Sequence, residues 1–187
     1  MSKIIYQQLI NKSRNTVVGL KCLLAVLLLI AFVPWLFPTT TISHVLLGAF
    51  HVAPSLSNAE FNPWTNHLTW LNKILGVIGS LIYMLPLFVS LLIVSRIASS
   101  YAVGDVFTKE NARLYGRVGS VCLLGAIILQ PLGEVFFSLA QSITNSPGHR
   151  FIAFGFDISN VSLIIAAVVL YLIAKTMHLA ASEQSQI

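Results

Sequence analysis

The chain has 187 residues, of which 56% are hydrophobic and only 9% charged, and its mean hydropathy is +0.84. Soluble domains carry about a quarter charged residues, so this composition excludes an ordinary water-soluble globule. The formal net charge of +5 is spread along the chain and makes no dense basic patch, so direct nucleic-acid binding is not expected.

Hydrocarbon about 30 Å thick is crossed by roughly 20 helical residues, each rising about 1.5 Å. The first such run is expected at about 17–37. Lys3, Lys12 and Arg14 precede it as they would in a signal peptide, but the apolar run is long and continues into "PWLFPTTT" without an Ala-x-Ala cleavage pattern, so it reads as an uncleaved anchor. Cys22 near its start and Cys122 near the start of the third span read as small buried hydrophobes, since nothing nearby would depress a thiol pKa.

The loop at 38–69 follows. Its segment "TISHVLLGAFHVA" places Thr41, His44, Gly48 and His51 on one helical face, with apolar residues over the remainder. That pattern predicts a short helix lying on the outer membrane surface, bracketed by Trp35, Trp64 and Trp70 as interfacial anchors. His44, His51 and His67 share this loop, and a metal or haem site built from them is the tempting alternative. Seven helical residues set His44 and His51 about 10.5 Å apart along the axis, whereas helical metal pairs sit four apart. No metal and no other cofactor is therefore expected.

The second span is expected at about 70–95. Lys73 enters it from the outer end, Gly76 and Gly79 follow, and Pro86 frees the carbonyl of Ile82. The segment 96–117 is then a hairpin carrying "GDVFTKENARLYGRVG". Gly104 suits a left-handed helix end, Thr108 suits an N-cap, and Glu110 sits near the positive end of the next helix dipole. Arg113 and Arg117 lie four apart and can snorkel to membrane lipids, with Tyr101 and Tyr115 at a similar depth.

Through this hairpin the sequence resembles a bacterial four-helix membrane family catalogued as domain of unknown function 2975. The likeness rests on G-x-x-F-T-x-x-N at Gly104, Phe107, Thr108 and Asn111, followed by Leu114, Val118 and Gly119, and the four-span topology agrees over most of the chain. The resemblance implies a bacterial inner-membrane protein without assigned activity, whose relatives are often encoded beside a small helix-turn-helix regulator. It further implies that Phe107, Asn111 and Arg113 present a surface to a cytosolic protein partner. The bland alternative has Thr108 capping, Asn111 bonding the adjacent turn and Phe107 packing back on the second helix.

The third span, about 118–141, carries the unusual residues. Cys122, Ala126, Gln130, Glu134 and Ser138 recur every four positions, a seam of polar and small residues that suits close helix approach and cross-helix hydrogen bonds. A carboxylate at the bilayer centre costs on the order of 3 kcal/mol or more, so Glu134 should face the bundle interior, a cavity or a partner. Lys73 enters from the same side, and an intramembrane polar set of Lys73, Gln130 and Glu134, with a Lys73–Glu134 pair, is expected. Pro131 and Gly133 loosen the same turn, Pro131 freeing the carbonyl of Ile127. The fourth span is expected at about 158–176, with an earlier start left open by the apolar "FIAFGF" at 151–156.

Basic residues favour the cytosolic flanks of membrane helices. On one side fall Lys3, Lys12, Arg14, Lys21, Arg96, Lys109, Arg113, Arg117 and Lys175, and on the other only Lys73 and Arg150, nine against two of the 11. Both termini and the hairpin are therefore expected in the cytosol. The fold expected is all-α: one membrane domain over 1–187, four transmembrane helices in a bundle plus the outer interfacial helix. No phosphate loop, Ser-His-Asp set, paired catalytic carboxylates or zinc signature is present, so the chain is not expected to be an enzyme. Two functional readings remain: a non-catalytic sensing, scaffolding or regulatory module acting through the hairpin, and a small-solute or proton-linked transporter using Glu134. The second would be a homo-oligomer, because four helices enclose little room.

Overall fold

A computed structural model describes residues 3–37, 69–156 and 158–184. The described residues form helices and connecting turns, with no strand among them. Helix α1 spans Lys3–Leu36 and α2 spans Trp70–Ala102. A third long helix runs from Lys109 to Ser142 in three parts: α3 at Lys109–Leu124, a wider π turn at Gly125–Leu129, and α4 at Gln130–Ser142. Helix α5 spans Ile158–Gln184. Four of these rods are long and apolar enough to cross a membrane, so the chain is a multi-pass membrane protein. The interfacial helix expected at 41–53, together with His44, His51, His67 and Trp64, lies outside the described residues.

Apolar side chains face outward over most of these helices. Only 11% of the most apolar window is buried in the first and fourth spans, and 33% in the second and third. Leu29, Leu92, Ile165 and Leu172 are each more than half exposed, a surface that water would penalise and lipid accepts. "FIAFGF" stays outside the fourth helix, which begins at Ile158. Its apolar composition fits lipid contact as well in an extended segment as in a helix.

By internal contacts the chain divides into two compact units whose boundaries fall inside helices. One contains the described residues up to Ala25, Pro86–Ala126 and those from Ser159 onward. Its core is Val118, Cys122 and Ala167, with Ile93, Leu163 and Leu170 packed against them. A Cβ at Gly119 would sit 3.2 Å from the Ala167 carbonyl oxygen, so α3 and α5 approach there almost backbone to backbone. The other unit contains the described residues from Val26 to Leu85 and Ile127–Ile158. Its core is Trp35, Phe137 and Ala140, with Leu75, Val77 and Tyr83 around it.

Trp35 corrects an expectation. It is 4% exposed rather than interfacial: its indole stacks on Phe137 with centroids 5.9 Å apart, and its Nε1–H donates to Ser80 Oγ at 2.8 Å. The reason is Gly76, where any Cβ would lie 2.1 Å from the Trp35 ring. The missing side chain makes a slot for the indole, and Ser80, one turn on, satisfies its N–H. Trp70 keeps the exposed character expected of it, at 74%.

Candidate functional site

The polar seam of the third helix turns out to be one side of a ladder. On α4, Glu134, Ser138 and Ser142 follow one another every four residues, about 6.0 Å per step. The chain beyond Ser142 turns at Gly148, whose φ is +92°, and comes back along this face as residues 151–156. Glu134 Oε2 accepts the Gly155 N–H at 2.6 Å. Ser138 Oγ accepts the Ala153 N–H at 3.0 Å, with its own hydroxyl 2.8 Å from the Val135 carbonyl and 3.3 Å from that of Ala153. Ser142 Oγ donates to the Phe151 carbonyl at 2.8 Å.

The returning segment advances two residues for each four of the helix, about 6.6 Å per step if extended, which matches the helical rise closely enough for three consecutive rungs. Its side chains alternate accordingly: Ile152, Phe154 and Phe156 are 66%, 77% and 59% exposed, while Phe151, Ala153 and Gly155 face inward and are half-buried. Non-helical backbone at membrane depth must find its hydrogen bonds within the protein, and the seam supplies them. The approach is close at Gly155, where an added Cβ would stand 3.1 Å from a Glu134 carboxylate oxygen and the carboxylate would have to shift by a few tenths of an ångström.

Lys73 and Glu134, expected as a pair, are thus each placed by another contact. Lys73 Nζ lies 5.3 Å from the centre of the Trp70 ring, a cation–π arrangement at the helix start. Gln130, one turn before Glu134, is 7% exposed, and its Oε1 is buried without a hydrogen-bond partner. It stands at the junction of the π turn and Pro131.

That junction follows from simple bookkeeping of backbone donors. In a π turn each carbonyl pairs five residues ahead, and for Ala126 that residue is Pro131, which has no N–H. The Ala126 carbonyl instead accepts from Asn160 Nδ2 of α5 at 2.7 Å. The carbonyl served by this side chain is therefore that of Ala126, one residue before the Ile127 carbonyl expected to be freed, because the π turn shifts the pairing register. Pro86 of α2 packs on the first residue of the π turn, where a Cβ on Gly125 would fall 2.5 Å from its ring.

Asn160 belongs to a group of buried carboxamides of which the sequence pattern singled out only Asn111. Asn72, Asn111 and Asn160 are at most 1% exposed. Asn72 accepts from Thr69 Oγ1 and donates to the Ala140 carbonyl at 2.7 Å and to Thr144 Oγ1 at 3.1 Å. The available signal was a lone carboxamide near the start of an apolar run, a group too costly to bury unless it fastens something.

The hairpin between α2 and α3 is built as its residues suggest. Gly104 has φ +90°. Thr108 is the N-cap, its Oγ1 accepting the Asn111 N–H at 3.1 Å, and the Tyr101 and Tyr115 hydroxyls share a hydrogen bond at 3.1 Å. Asn111 is fully buried and its Nδ2 donates to the carbonyls of Asp105 and Val106, at 2.5 and 3.1 Å, which fixes the turn from inside. Its Oδ1 has no partner. Of the three residues expected to meet a partner, Phe107 is 54% exposed and Arg113 is exposed, whereas Asn111 lies beneath them. Among the described residues no group of three or more His, Cys, Asp or Glu could hold a metal ion.

The model of a family described as "Protein of unknown function (DUF2975)" matches residues 53–184. No curated protein and no solved structure matches the chain.

Proposed function

The chain belongs to the DUF2975 family of proteins of unknown function, and on that premise we propose that it is a non-catalytic module of the bacterial inner membrane that senses, scaffolds or regulates through its α2–α3 hairpin. Both termini and the hairpin are cytosolic in this reading, supported by the fall of nine of the 11 basic residues on the same side of the four spans as the hairpin. The observation that carries it is a rigid turn with an unspent apex. Thr108, Asn111 and the Tyr101–Tyr115 pair hold the turn from within, while Phe107 is left more than half exposed beside Arg113. An exposed aromatic on a pre-organised loop gives binding area at little entropic cost. The partner is a cytosolic protein, and a small helix-turn-helix regulator is the proposed class because of the family resemblance.

A photocrosslinking residue at position 107 in intact cells tests this. Capture of one discrete cytosolic protein, lost when the same probe is moved to position 154 on the returning segment, is the expected result. Crosslinks to lipid alone would sink it.

The second reading, a small-solute or proton-linked transporter, has one observation in its favour: the buried, unpartnered Gln130 Oε1 one turn from Glu134. Glu134→Gln separates the two. A transporter loses its flux, while a hairpin-driven regulator keeps its crosslink.

A further inference from the structure

Helices α3 and α5 touch closely at Gly119 and Ala167, where Ser120 and Tyr171 share a hydrogen bond at 2.8 Å. Three residues toward the start of α3, a Cβ on Gly116 would already be 3.9 Å from Ala174 Cβ. The two helices diverge from there, and the space between them opens as a groove of about 910 Å³. Its two kinds of lining are segregated by chemistry. Ala112 and Leu114, both buried, line it with Ala174 and Leu179 as an apolar floor. On the α3 wall Lys109, Arg113 and Arg117 follow at four-residue intervals, and Lys175 and His178 stand on the α5 wall. These five side chains are exposed, and Glu110 is the one acidic residue among the lining.

We propose that this groove is a binding site for an acidic phospholipid, its phosphate held between Arg113 or Arg117 and Lys175 and the first carbons of its acyl chain lying on the Ala112–Leu114–Ala174 floor. The charge complementarity selects an anion: four Lys and Arg against one Glu leave the lining at +3. Arginine presents a planar fork matched to phosphate oxygens, and a lysine opposite supplies a point charge. The apolar floor selects a lipid over a free anion, since a solvated phosphate gains nothing from alanine and leucine. Both walls belong to membrane-crossing helices near the ends of their apolar runs, the depth at which headgroups lie and at which basic residues attract acidic lipid. The inference requires no protein partner; it shares Arg113 with the hairpin surface of the regulatory reading, whereas Phe107 does not line the groove.

The test uses the full chain in detergent, with its thermal unfolding midpoint followed as phosphatidylglycerol, phosphatidylcholine or inorganic phosphate is added. The wild type should show a saturable rise with phosphatidylglycerol alone. Losing one basic contact should weaken that titration about five-fold, and Arg113→Gln with Lys175→Gln together about 30-fold. Ala174→Trp fills the floor without touching charge and should abolish the response, whereas Arg150→Gln, outside the groove, should leave it intact. Arg113→Gln alone, on an exposed side chain, carries the test if the double variant does not fold. The proposal is overturned if inorganic phosphate or phosphatidylcholine gives the same rise, if Ala174→Trp titrates like wild type, or if Arg150→Gln weakens binding as much as the groove variants.

Discussion

The returning segment at 151–156 and the hairpin end of α3 and α5 use polar residues in opposite ways. Along α4, Glu134, Ser138 and Ser142 each make a hydrogen bond to a backbone group of the returning segment. Around the groove, Lys109, Arg113, Arg117 and Lys175 are exposed, and the described contacts assign them no side-chain acceptor. The difference teaches where to look in a membrane protein. Within hydrocarbon an unsatisfied polar side chain is costly, so a satisfied one speaks first of structure. At headgroup depth a charge is tolerated unpaired, so it remains free to recognise something.

This contrast can be broken most decisively at the close contacts of the Trp35 core. Gly76→Ala would drive a methyl into the Trp35 ring at 2.1 Å, and overpacking of this kind costs about 1–3 kcal/mol or more. A large drop in the thermal midpoint in detergent, with the loss of a blue-shifted Trp35 fluorescence component, is expected. A midpoint equal to wild type would mean that the indole does not occupy this slot.

Asn160→Leu comes next. It removes the donor that serves the Ala126 carbonyl, and an unsatisfied buried acceptor costs about 1–3 kcal/mol. The expected signature is local: faster hydrogen exchange across 125–131, with α2 unchanged.

A smaller effect, about 1–2 kcal/mol, is expected for Ser138→Ala, which deprives the Ala153 N–H of its acceptor. Proteolysis or hydrogen exchange at 151–156 should report it. No change there would mean that the ladder does not hold the segment.

Glu134 sharpens the comparison further, because its substitutions should fall in an order. Glu134→Gln keeps an oxygen that can accept from Gly155 and should alter stability by less than about 1 kcal/mol, while Glu134→Leu should cost more. If the Gln variant were as damaged as the Leu variant, the carboxylate would be needed for more than this bond.

The smallest effect on folding is expected at Arg113→Gln, within about 0.5 kcal/mol in lipid-free detergent, as is usual for exposed substitutions. A larger loss would show that its guanidinium is committed to structure after all.

How far the sequence could be read varied from residue to residue. The helices were legible because a run of apolar residues long enough to cross hydrocarbon has few other uses. Gly104 and Thr108 were legible because turn and cap chemistry is local, and both hold the roles their residue types suggest. Glu134 was legible as unusual but not in its role, since its partner is a backbone N–H 21 residues away and main-chain groups leave no mark in a sequence. Trp35 was misplaced for a related reason: its environment depends on the absence of a side chain at Gly76, 41 positions on. The seam was seen as a period of four, but the alternation of "FIAFGF" that answers it was hidden because both of its faces are apolar.

The sequence alone therefore determined the solvent and the elements: composition decides that this chain folds in lipid, and run length decides how many helices cross it. Which polar groups are consumed and which remain available was decided only by the tertiary structure. Hydrogen bonds and close approaches join residues far apart in the chain, and whether a donor finds an acceptor depends on distances of a few tenths of an ångström that no periodicity encodes.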